Sequence, residues 1–156
     1  MNSVILSTAT RILVPVILAV SVFIFWRGHN EPGGGFIGGL LAATAFALLE
    51  KAEGIAVARR RLWFHPQSLA AFGLGCALVA GIWGGLEYGY FLKGVWPLIT
   101  IDAEGRKSGL PFGSIMLFDF GVYLVVLGTV CGILFTLEES LAEDAKAEDK
   151  DKTSWK

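Results

Sequence analysis

Asp119 is the residue whose setting most demands an explanation. It stands in Leu117-Phe118-Asp119-Phe120-Gly121, about two turns into an apolar run from Phe112 to Leu137. An ionisable group inside such a run is costly in lipid and has to face protein or water. Arg11, within the apolar run that opens the chain, is a second such residue, and Arg27 and His29 sit just after that run. Three roles are open to Asp119. It is a proton or cation relay, a polar anchor to a nearby turn or a neighbouring protein, or a water-facing group without a role. His29 reads either as a hydrogen-bonded turn residue or as a group able to titrate near neutral pH.

Other chemistry is absent from the pattern. The chain shows no nucleophile with a base, no phosphate loop and no metal-ligand cluster. Gly33-Gly34-Gly35 lacks the strand, spacing and following acid of a nucleotide fingerprint. Cys76 and Cys131 both fall in apolar runs, where small packing residues are the natural reading. No cofactor or metal is expected, and transport or its support fits better than catalysis. A net charge of −1 gives no case for nucleic acid.

The elements that position these residues follow from where charge is missing. With 54% hydrophobic and 17% charged residues among 156, and a mean hydropathy of +0.60, the chain is too apolar for an ordinary soluble domain. Charge is scarce in four stretches, about 4–26, 33–49, 67–86 and 112–137, each near the ~20 residues that cross a bilayer core. The expected fold is therefore an all-α integral membrane protein with four transmembrane helices, residues 1–137, followed by a charged tail, 138–156. The first run lacks a basic start and a small-residue cleavage pattern, so it is expected to be retained.

Four spans put both termini and the 50–66 connection on one side. That connection holds Lys51, Arg59, Arg60 and Arg61, which assigns the side to the cytoplasm. Asp119 then lies outward of its span's centre and Arg11 inward of its own, about 15 Å apart in depth at 1.5 Å per residue. Arg27 or His29, in the outer turn, is the nearer partner. Glu31, Glu50 and Glu87, in that turn or at span ends, are expected to be solvated. The tail has seven acidic and four basic residues and should be helical near its start and increasingly disordered.

The outer turn breaks the first two spans apart. Pro32 removes a backbone donor and the glycines around it permit conformations barred to other residues. Small residues recur at four-residue spacing in Gly34 with Gly38, Gly35 with Gly39, Gly81 with Gly85, and Gly128 with Gly132. This spacing bares backbone on one helix face and favours close helix contact. The 87–111 loop is long and reads first as a surface loop, with docking of its Phe91–Ile101 portion against a neighbour as the alternative.

Gly28-His29-Asn30-Glu31-Pro32-Gly33-Gly34-Gly35-Phe36, followed by Gly38-Gly39, resembles the signature of the MnhB-like family, which supplies one of the small subunits of multisubunit Mrp-type cation/proton antiporters. Leu110-Pro111-Phe112-Gly113-Ser114 and Phe118-Asp119-Phe120-Gly121-Val122-Tyr123 resemble its second signature. The resemblance covers about residues 4–139. It implies a multi-pass component of a bacterial inner-membrane complex, with large complex-I-like subunits as partners, exchanging cytoplasmic Na+ or another monovalent cation for external H+. A packing role is the leading expectation, with a share in an ion path left open. The alternatives are an energy-coupling component of a hydrogenase-type oxidoreductase and a purely structural spacer.

Overall fold

Glycine and proline set the element boundaries. In a computed structural model describing residues 4–28, 33–97, 99–101, 107–109 and 113–154, α1 spans Val4–Arg27 with Pro15 inside it. Helix α2 spans Gly34–Glu53 and starts after Gly33, whose φ of 94° is left-handed. Gly54, at φ 91°, ends α2 with its N–H on Glu50 O and turns the chain into the short α3, Ile55–Arg61. Helix α4, Pro66–Tyr88, begins on a proline, which needs no N–H partner there. It stops at Gly89, at φ 74°. Strands β1 (Ile99–Ile101) and β2 (Lys107–Gly109) pair antiparallel, and α5 spans Ser114–Ser154.

Four of these segments are long and apolar enough to cross a membrane. They pack in the order α1, α2, α5, α4, with a lighter contact between α1 and α5. Gly28 meets Gly34, and Ser21 meets Gly38, so α1 and α2 are antiparallel. Gly35 meets Asp119 and Gly39 meets Tyr123, so α2 and α5 run parallel. Helix α4 returns antiparallel to α5, with Gly73 on Gly121 and Ala70 on Gly128. The start of α1 and the extension of α5 therefore share one end of the bundle, here the tail end. The β1–β2 strands lie on the connection at the other, the hairpin end.

The core is built mostly from small α2 residues, among them Ala42, Ala43 and Ala45, closed by Val14, Leu127, Cys131 and Phe135. Cys131 is thus a packing residue. The outer faces of α1 and α4 stay apolar and exposed, as at Ile12, Phe23, Phe72 and Leu86, which suits a lipid solvent.

Several expectations are corrected. The 50–66 connection contains α3. The 138–154 segment continues α5 as helix, with an i,i+4 pair between Glu148 and Lys152 where loss of order was expected. The start of the long loop, Phe91 to Lys93, docks on its own chain: the Phe91 ring lies over Gly81 and Leu92 N–H donates to Gly81 O at 3.2 Å. Gly81 and Gly85 thus mark a landing site for a loop, not a helix contact. Ser114 fixes the far end of that loop, donating its N–H to Val95 O and accepting the Val95 N–H at its hydroxyl.

Candidate functional site

The first turn of α2 has amides with no partner within the helix, as every helix start does, and no side chain of its own caps them. Asp119, reaching across from α5, answers that need. Its Oδ2 accepts the Gly35 N–H at 3.0 Å, and a carboxylate at a helix N-terminus also meets the positive end of the dipole. The approach requires bare backbone. A Cβ on Gly28 would lie 2.8 Å from Asp119 Oδ2, and one on Gly34 would lie 3.1 Å from it. The three helices α1, α2 and α5 converge on this one carboxylate.

One turn along α5, a second polar contact joins the same helices. Ser21, fully buried on α1, donates from Oγ to Gly38 O at 2.8 Å. The Tyr123 hydroxyl lies 2.9 Å from that Oγ; with the Ser21 proton engaged, Tyr123 donates. Phe25 packs edge-on against both Tyr123 and Phe120, with centroids 5.4 and 6.0 Å away. Sequence reasoning missed Ser21 and the role of Tyr123. The available signal was register, because Tyr123 stands four residues after Asp119 and Gly39 four after Gly35.

Tyr123→Phe leaves the Ser21 to Gly38 bond in place and should lower stability by about 1 kcal/mol or less. Ser21→Ala strands the Tyr123 hydroxyl and should cost more, about 1–3 kcal/mol. Unfolding midpoints in one detergent check the ranking, and a larger loss for Tyr123→Phe would remove the serine from the centre of this contact.

The other expected site residues differ in their placement. Arg11 is exposed on α1, beside Thr10 and Val14, which are buried; it is remote from the Asp119 joint. Arg27 is exposed in the last turn of α1. His29, Asn30, Glu31 and Pro32 lie outside the described residues, while Gly28 and Gly33 flank them. Gly128 meets the Ala70 backbone and Gly132 lies against Pro66. No group of three or more His, Cys, Asp or Glu side chains is arranged for a metal among the described residues.

Glu50 departs from the solvated reading. Its side chain is 3% exposed, 3.8 Å from Lys51 Nζ, because α2 runs on to Glu53 and holds it one turn inside the helix. Around it, Lys51 pairs with Glu138 at 2.8 Å and Arg59 with Glu139 at 3.1 Å, tying α2 and α3 to the start of the α5 extension.

Residues 5–132 match the family described as a domain related to the MnhB subunit of Na+/H+ antiporter. The chain is 36% identical over 138 residues to the B subunit of a Na(+)/H(+) antiporter of Alkalihalophilus pseudofirmus, covering 88% of this chain and 94% of that one. It is 34% identical over 139 residues to a protein of the same name in Bacillus subtilis, with the same coverage. The A/B subunit of a probable K(+)/H(+) antiporter of Rhizobium meliloti is 33% identical over 141 residues, 90% of this chain but 14% of that protein. With both the glycine turn and the Asp119 segment inside the matched region, this chain belongs to the family of domains related to the MnhB subunit of Na+/H+ antiporters.

Proposed function

We propose that this chain is a small membrane component of a multisubunit cation/proton antiporter in the bacterial cytoplasmic membrane. In that reading the complex exchanges cytoplasmic Na+ or another monovalent cation for external H+, and large complex-I-like subunits supply the main proton channels. This chain contributes mainly packing, with its tail end and the 138–156 segment in the cytoplasm. Asp119 acts as the polar anchor that fastens the first turn of α2 to α5, supported above all by its hydrogen bond from Gly35. The relatives' names support the antiporter assignment, and the three consecutive arginines at the tail end support the orientation.

The chain purified alone and placed in liposomes should show no cation/proton exchange above the empty-vesicle rate, whereas mild-detergent extracts should carry it with larger membrane proteins. Robust exchange by the isolated chain would sink the accessory role.

A further inference from the structure

The segment between α2 and α4 carries charge and aromatic surface that the bundle does not use. Helix α3 ends in Arg59, Arg60 and Arg61. Arg59 is engaged within the protein, pairing with Glu139 and lying 5.9 Å over the Phe135 ring. Arg60 and Arg61 are exposed, and neither has an acidic partner among the described residues. Together with Ala56 and Val57 they line an open surface hollow of about 220 Å³ along α3, so two guanidiniums border a partly apolar groove.

The next residues turn outward against their own preference. Trp63 has φ 62°, a conformation that sterics disfavour for a bulky side chain, and Phe64 N–H folds back onto Leu62 O at 2.7 Å. The result exposes 87% of Trp63 and 65% of Phe64. This is a poor arrangement in water and a good one at headgroup level, where aromatic rings partition. Depth agrees, because the spanning helix α4 starts at Pro66, two residues after Phe64.

We propose that Arg60 and Arg61, over the hollow they share with Ala56 and Val57 and beside the Trp63–Phe64 wedge, bind the headgroup of an anionic phospholipid. The paired guanidiniums suit phosphate oxygens. Their unneutralised charge favours a lipid with net negative charge over a zwitterionic one. The apolar side chains of the hollow and the aromatic wedge favour a lipid over an acidic protein segment.

The full chain, purified in mild detergent, is to be offered equal amounts of phosphatidylglycerol and phosphatidylcholine, and bound lipid read by native mass spectrometry. Wild type should retain phosphatidylglycerol preferentially. Each arginine near an anionic surface is worth roughly five-fold, so Arg60→Gln with Arg61→Gln should lower that retention about twenty-five-fold at unchanged helicity and unfolding midpoint. Arg60→Lys with Arg61→Lys should keep part of the preference, and soluble glycerophosphate should compete weakly. Equal retention of the two lipids by wild type, or an unaltered preference in the double Gln variant, would overturn the proposal. So would full competition by glycerophosphate, which would reassign the hollow to a free phosphate compound.

Discussion

Asp119→Ala is expected to remove this chain from its complex and to abolish exchange as a consequence. The substitution leaves the Gly35 N–H, now capped at 3.0 Å, without its acceptor inside a membrane-embedded joint. A stranded buried donor costs about 1–3 kcal/mol and a lost cap typically about 1 kcal/mol, two views of the same contact. Asp119→Asn separates anchoring from proton handling, because the amide oxygen can still accept the Gly35 N–H while no longer titrating. For an anchor, Asn should assemble near wild-type yield and retain most exchange. Blue-native gels paired with vesicle exchange assays read both outcomes. Normal assembly with lost exchange in the Asn variant would refute the anchor and make Asp119 a relay.

Gly35→Ala should be nearly as damaging by a different route. A Cβ at that position would lie 3.0 Å from Asp119 Oδ1 and from its carbonyl carbon, and closer still to the backbone oxygen. The obstruction is main chain rather than a flexible side-chain tip, so the helices would have to separate. Overpacking of this kind costs about 1–3 kcal/mol, and separation would also lengthen the Asp119 hydrogen bond. Gly75→Ala is the control: it lies in α4 with nothing within 4 Å of its added Cβ. It should be neutral or more stable by up to about 1 kcal/mol, from helix propensity alone. Unfolding midpoints of the two variants check the pair, and a Gly35→Ala protein as stable as wild type would mean that this joint tolerates a wider spacing.

The number and kind of the long helices were legible because charge is excluded from lipid, and that exclusion is written in residue types. The neighbourhood of Asp119 was legible through topology, which brings the outer turn and the early part of the last span to one end. Its contact with Gly35 was not, because the donor is a backbone amide and every residue but proline carries one. Gly81 shows the same limit from the other side. Its spacing from Gly85 matches that of Gly35 from Gly39, yet one pair receives a loop and the other a helix; which object arrives is decided by the rest of the chain. Glu50 was misread because the charge pattern ends the second span at Leu49, whereas the hydrogen-bonded helix continues to Glu53. For the 138–154 segment, acidic and basic residues averaged over the tail suggested disorder. Continuation from an already formed helix removes the nucleation cost that an isolated segment would bear.

That continuity makes α5 a mechanical part. Its 41 residues form a rod roughly 60 Å long, clamped near one end by Asp119 and again by the Lys51–Glu138 and Arg59–Glu139 pairs. Beyond the second clamp about 25 Å of helix projects free of the bundle, so a tilt of about 10° inside the membrane would sweep its tip by about 4 Å. Through that lever arm, a small change in the tilt of α5 would become a larger displacement at the tip of the 138–154 segment.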